Sequence, residues 1–287
     1  HFSRALLTPD LSLATLSDAR AVTDRNGKPW SATTPTLTAV QAPVTAIDLS
    51  RDGTANCYIV SEAGEYMFDA TVRGNGSGDD AAIALADGMK ADWLWVTKGL
   101  EQEISAVSLD AGKGRIFFTA AGAAKGNAVI ALADAAGEIV WSWHLWFTPE
   151  PRRVTYANGR VLLDRSLGAV GTTPGSAEAY GLYYQWGRKD PFPAAPTLTG
   201  TTATVGAPIY DGDNNEIKIT NSSQSSTADN NLAFAIANPT VCLSNYAQFN
   251  TSRDWLQADM SNDALWGNPK AVSYTHLRAH ETVLDLV

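Results

Sequence analysis

Between positions 65 and 73 apolar and polar side chains alternate. Tyr66, Phe68, Ala70 and Val72 fall on one face, and Glu65, Asp69, Thr71 and Arg73 fall on the other. A two-residue period is the signature of a strand with one face buried. A glycine-rich turn follows at Gly74-Asn75-Gly76. Further on, 104–109 and 115–120 flank Gly112-Lys113-Gly114, and 128–133 and 138–147 flank Asp134-Ala135-Ala136-Gly137. Each pair predicts a hairpin with glycine where the turn needs a positive φ. In the last strand Ile139, Trp141, Trp143, Leu145 and Phe147 make an unbroken apolar face, while His144 alternates onto the other face with Val140, Ser142 and Trp146. Short strands, tight turns and no long helical period over 55–148 predict a β-sandwich of immunoglobulin-like size.

Thr148-Pro149-Glu150-Pro151 breaks this pattern. Two prolines so close cannot sit in a central strand, so they predict an interdomain joint. Beyond it, 154–156 and 160–163 predict a small hairpin around Asn158-Gly159. Ser176 is placed to cap a short helix running through Trp186 and closed by Gly187. The polar stretch 214–227 reads as a loop, and a second short helix over 230–237 stops at Asn238-Pro239, because proline disfavours helical geometry in the residue before it. Residues 1–54, rich in Thr, Ala, Ser and Pro, read as an irregular segment or the tail of an upstream domain. The whole is predicted to be mainly β: a sandwich over 55–148, then an α+β region over 151–270.

Composition narrows the function. The 287 residues carry 21 basic and 30 acidic side chains, so 21 − 30 gives a net charge of −9. That balance argues against nucleic acid or an anionic membrane as partner. The hydrophobic share of 45% suffices for a core, and the charged share of 18% lies below the usual quarter. Such a neutral, hydroxyl-rich surface fits an extracellular or outer-membrane surface-attached protein. The longest apolar stretch, 127–147, is interrupted by Asp134 and Glu138, so no membrane span is predicted. The chain opens at His1, and the protein is expected to begin upstream. The two cysteines, Cys57 and Cys242, lie in different candidate domains, which excludes a disulfide framework and a cysteine-rich zinc site, and they read as buried free thiols.

Two sets of segments carry a family likeness. Ala55-Asn56-Cys57-Tyr58-Ile59-Val60, Gly64-Glu65-Tyr66-Met67-Phe68 and Trp141-Ser142-Trp143-His144-Leu145-Trp146-Phe147 resemble the sandwich domain of surface proteins of gut Bacteroidetes. Leu163-Asp164-Arg165-Ser166-Leu167-Gly168-Ala169, the run from Gly181 through Tyr183-Tyr184-Gln185-Trp186-Gly187-Arg188-Lys189-Asp190 to Phe192, Asn238-Pro239-Thr240, Asp254-Trp255 and Leu265-Trp266-Gly267 resemble the Fibrobacter-type major paralogous domain. That domain occurs in fimbrillin-like, adhesin-like proteins and has a C-type-lectin-like shape. The resemblance implies adhesion at the cell surface and carbohydrate binding. After Lys270 the family's continuation is missing. Ser273-Tyr274-Thr275-His276-Leu277-Arg278-Ala279-His280-Glu281-Thr282 instead resembles a translated sequencing adapter, as in a metagenomic fragment. Residues 271–287 are therefore expected to be an artefactual tail behind a truncated, partial second domain.

Candidate chemistry is sparse. With that tail set aside, the histidines are His1 and His144, and no nucleophile elbow, metal-binding His-Glu-x-x-His helix or evident Cys/His pair accompanies them. Asp164-Arg165 and Arg188-Lys189-Asp190 read as internal ion pairs that orient loops. Asp211, Asp213 and Asn215 place oxygens at alternate positions like a calcium loop, but Glu216 stands where that loop needs glycine. Nine tryptophans suit sugar stacking, with Trp146, Trp186, Trp255 and Trp266 as candidate platforms. The expectation is a non-enzymatic protein without cofactors whose partners are surface glycans or other surface proteins. The alternative is a structural fimbrial or pilus subunit assembling by strand donation.

Overall fold

A computed structural model describes residues 46–77, 80–122, 124–185, 187–193, 207–223, 227–244 and 255–256. The expected irregular segment lies outside the described residues up to position 45, and the tail 271–287 lies outside them entirely.

The chain is mainly β. Before the two prolines come β1 (Ile47–Asp48), β2 (Cys57–Val60), β3 (Gly64–Asp69), β4 (Lys90–Thr97), β5 (Ile104–Asp110), β6 (Arg115–Ala120), β7 (Gly126–Ala133) and β8 (Ile139–Phe147). After them come β9 (Arg153–Thr155), β10 (Val161–Leu163), β11 (Tyr183–Tyr184), β12 (Pro191–Phe192), β13 (Ile209–Tyr210), β14 (Glu216–Ile217), β15 (Thr220–Ser223), helix α1 (Ala228–Ala237) and β16 (Val241–Ser244). The hairpins expected from alternation are present as β5–β6, β7–β8 and β9–β10, all antiparallel.

Two sheets share one core. The first has the order β1-β3-β6-β5 and the second β14-β13-β4-β7-β8-β2. Both are mixed, because β1 runs parallel to β3 and β2 parallel to β8. Tyr66, Phe68, Ile116 and Phe118 of the first sheet pack with Ala128, Ile130, Leu132, Trp143, Leu145 and Phe147 of the second. Phe68 and Trp143 rings sit 5.3 Å apart, and Phe118 meets Phe147 edge-on at 6.3 Å, arrangements that suit the ring quadrupoles. The period-2 pattern of each strand delivers these residues to one side.

Bulges adjust the pattern. Trp93 pairs with Ile130 and Trp95 with Val129, leaving Leu94 as the extra residue. The bulge sends Trp93 to the sandwich core and Trp95 to the opposite side of the sheet. Simple alternation would have put both indoles on one face.

The six-stranded sheet is buried on both sides. β7 is buried along its length except at Ala133, and Ser142, His144 and Trp146 are as inaccessible as the core residues between them. From Ser142 onward both faces of the 138–147 strand are therefore buried. The chain beyond the proline joint covers its second face: Leu163 and Leu167 pack with Cys57 and Trp146, and Leu182 with Trp95 and Val129. That chain also returns to the sheet itself, since β13 pairs with β4.

Two further expectations are corrected. Among the described residues of the expected 176–186 helix only Ala177–Ala179 is helical, as a single 3-10 turn. Ser176 does cap it, accepting from the Glu178 N–H at 3.2 Å. Gly181 then approaches the Leu167 carbonyl so closely that a Cβ would stand 2.6 Å from it, and the Leu182 N–H donates to that carbonyl. This tertiary bond pulls the chain into the extended β11, which pairs with β12. The polar 214–227 stretch, expected as loop, contains β14 and β15, and β15 pairs in parallel with β16 on the far side of α1. The second helix ends at the expected place, before Asn238-Pro239.

Candidate functional site

The polar residues of the doubly buried sheet converge beneath the covering chain. Parallel pairing sets Cys57 directly across from His144, and β7 sets Val129 on its other side. The Cys57 sulfur lies 3.1 Å from His144 Nδ1, and His144 Nε2 lies 2.9 Å from Asn127 Oδ1. Asn127 Nδ2 donates to the Gly168 carbonyl at 2.9 Å, which turns its oxygen toward the imidazole. That orientation assigns the proton to Nε2, so Nδ1 accepts from the Cys57 thiol. Tyr184 closes the cluster, its hydroxyl 3.5 Å from Nδ1. Gly168 has a φ of +86°, and a Cβ there would collide with Leu182; glycine is what lets the covering loop bring its carbonyl to Asn127.

This pairing of Cys57 with His144 corrects the reading that no Cys/His pair exists. In connectivity it matches a nucleophile, its base and an orienting amide. Its electrostatics run the other way. Burial lowers the His144 imidazole to about 3 and raises the Cys57 thiol above its ordinary value. Burial also holds the Tyr184 phenol well above its ordinary value, with the neighbouring Cys57 and Asp190 adding to the effect. A nucleophilic cysteine needs its thiolate, whereas here every group is neutral and hydrogen-bonded. The arrangement is a closed donor–acceptor chain from thiol to Gly168 carbonyl.

A second cluster ties the covering chain down. Ser142 Oγ donates to Asp190 Oδ1 at 3.0 Å, and Lys189 Nζ donates to both oxygens. Arg188 Nε donates to Asp190 Oδ2 at 2.9 Å. The rest of the guanidinium reaches Gln185 Oε1 at 2.8 Å and the carbonyls of Val241, Asn238 and Ala235. Two of those carbonyls terminate α1, where a cation also meets the negative end of the helix dipole. Phe192 and Trp255 flank the guanidinium with ring centroids at 5.2 and 6.0 Å. Burial lowers the Lys189 ammonium below its ordinary value against the opposing pull of Asp190. Asp164 and Arg165 form the other expected pair, with Arg165 also donating to Thr148 Oγ1 at 2.8 Å across the proline joint.

Of the expected indole platforms, the two among the described residues, Trp146 and Trp255, sit in separate packing clusters. Trp146 is fully buried and donates its Nε1–H to the Ala169 carbonyl at 3.0 Å. Trp255 is buried with Ala235, Leu243 and Leu256. Neither indole presents a face to a sugar, which corrects the assignment of both as platforms: the covering chain occupies the side of Trp146 that alternation had left open, and Trp255 is packed with residues of α1 and β16. Trp186 and Trp266 lie outside the described residues. Asp211, Asp213 and Asn215 form the turn between β13 and β14. Asp211 accepts from the Asp213 and Asn215 N–H groups and from Asn215 Nδ2. These bonds, the Asn215 backbone donor first, hold its carboxyl below the ordinary value. Among the described residues no three of His, Cys, Asp and Glu converge as metal ligands. Cys242 is a free thiol like Cys57, but only half-buried.

Two outcomes follow. His144 is neutral when folded and binds a proton near 6.5 when unfolded. It therefore contributes stability in full above pH 6.5 that is lost as pH falls toward 3, with a slope of up to about 1.4 kcal/mol per pH unit. Denaturant titrations at stepped pH are expected to show this slope in the wild type, and His144→Gln to remove its share. Arg188→Met leaves Asp190 with only Lys189 and Ser142 and takes the donor from the Val241, Asn238 and Ala235 carbonyls, so unfolding free energy is expected to fall by about 3 kcal/mol or more. An unchanged urea midpoint would contradict that role.

No family model matches this chain, and neither does any curated protein or solved structure.

Proposed function

We propose that the chain belongs to an extracellular, non-enzymatic surface protein that acts by adhesion or recognition, with glycans or other surface proteins as ligands. The observation that carries this reading is where large apolar side chains meet solvent. Among the described residues these are Ile47, Tyr156, Val161, Leu162, Tyr183, Leu232 and Phe234, and all but Ile47 lie beyond the proline joint. Meanwhile the groups able to do bond chemistry, Cys57, His144, Lys189 and Asp190, are buried and engaged with one another. The interior is committed to holding the fold, and the region from 151 onward offers the contact surface. On this reading 55–148 is an immunoglobulin-like sandwich and 151–270 part of a C-type-lectin-like domain, as the resemblance implies. The low charged share of the surface supports exposure outside the cell.

A second reading is a structural fimbrial subunit. It is favoured by the β9–β10 ribbon, whose outer edges pair with no other described strand and so remain open for strand addition. Binding of the purified protein to broad glycan arrays and to intact cells separates the two. Recognition predicts capture of a defined subset of glycans or surface proteins by monomeric protein. The structural reading predicts concentration-dependent fibres visible by electron microscopy. Silence on arrays and cells, without fibres, contradicts both.

A further inference from the structure

We propose that the β9–β10 hairpin is a binding site for an acidic polysaccharide, held by Arg152 at one end and by Arg160 with Tyr156 beside it at the other. The inference depends on the recognition reading and gives it a ligand class.

The register places these side chains together. Val154 pairs with Leu162, Arg153 with Leu163 and Thr155 with Val161. The Asp164 N–H donates to the Arg152 carbonyl, and the Tyr156 N–H to the Arg160 carbonyl, extending the ladder at both ends. By alternation Arg152, Val154 and Tyr156 share one face with Arg160 and Leu162. The opposite face carries Leu163, which packs against Cys57 and Trp146. The first face meets solvent at both ends: Tyr156 is 53% exposed, Leu162 38%, and both arginines are exposed, while on the opposite face Leu163 packs inward although Arg153, Thr155 and Val161 stay exposed. Among the described residues no carboxylate forms a direct ion pair with either guanidinium; Asp164, opposite Arg152 on that face, bonds to Arg165 and also feels the Arg152 charge.

Charge is segregated along the chain. Residues 149–165 hold four arginines and two acids (Glu150 and Asp164), giving 4 − 2 = +2, while the remainder holds 17 basic and 28 acidic residues, giving 17 − 28 = −11. The net −9 disfavours a polyanion at long range, but exposed charges beyond a Debye length of about 8 Å are screened at physiological salt. A guanidinium in contact meets carboxylate or sulfate as a bidentate fork at about 2.8 Å. Contact range decides, and there the hairpin is cationic.

The spacing selects a polymer. Arg152 and Tyr156 are four residues apart along the strand, about 13 Å at roughly 3.3 Å per residue. One small anion cannot bridge the two ends, whereas a chain with repeated acidic groups can. A face of five side chains also falls well short of the roughly 800 Å² per partner that a standard protein interface needs. A saccharide chain gains strength instead by repeating a small contact, with the Tyr156 ring beside Arg160 offering an apolar face to a pyranose.

Surface plasmon resonance on immobilised polygalacturonate and dextran sulfate tests this, with neutral dextran and polyglutamate as controls. Wild-type protein is expected to bind an acidic polysaccharide, more weakly as salt rises. Arg152→Gln/Arg160→Gln is expected to weaken that binding by about tenfold or more. Tyr156→Ala is expected to weaken binding to the polysaccharide but not to polyglutamate. All these positions are exposed, so an unchanged melting temperature confirms folding. No binding to either acidic polysaccharide, binding indifferent to the arginine pair, or equal binding to polyglutamate overturns the proposal. If neutral glycans are captured and the double variant captures them equally, recognition stands and the hairpin assignment falls.

Discussion

Everything distinctive in this fold depends on covering the second face of the six-stranded sheet. A sandwich needs only one buried face per sheet. Here the strand bearing Trp143, Leu145 and Phe147 toward the core also bears Ser142, His144 and Trp146 away from it, and both sets are buried. Once the covering chain closes, each polar group beneath it must find a partner or incur a desolvation cost of about 1–3 kcal/mol. Asn127, His144 and Cys57 satisfy one another, and Ser142 is satisfied by Asp190 and Lys189.

The same constraint sets the electrostatics of a constellation that has the connectivity of a catalytic triad. Desolvation is the first cause of the shifts on both Cys57 and His144, and it moves them in opposite directions, away from an ion pair. A catalytic cysteine needs the reverse, a nearby positive charge or solvent to favour the thiolate. The positive charges that are present, Arg188 and Lys189, face Asp190. On the proposed reading, ligand contact falls to the exposed side chains of the short elements beyond Pro151.

How much of this the sequence discloses depends on the range of the contact. The β5–β6, β7–β8 and β9–β10 hairpins join neighbours through short glycine-bearing turns, and local alternation predicted all three. The end of α1 before Pro239 is likewise local. Arg188 and Asp190 are two residues apart, so their pairing was legible, but the carbonyls that Arg188 collects lie about 50 residues on. Cys57 and His144 are 87 residues apart and meet through a parallel register that no local period encodes. Alternation placed Trp146 on the non-core face and could not say what would cover it. The one hint was polar residues, Asn127, Ser142 and His144, inside strands otherwise apolar enough for an interior.

The central claim is that Cys57 and His144 form a sealed, neutral pair. Peptide-resolved alkylation by iodoacetamide at neutral pH addresses it directly, because it separates Cys57 from the half-buried Cys242. The account predicts that Cys57 is modified only at the rate of global unfolding, accelerating with urea in step with loss of tertiary signal. Rapid modification of Cys57 in the native state, with a pH dependence showing a thiolate near neutrality, would contradict it.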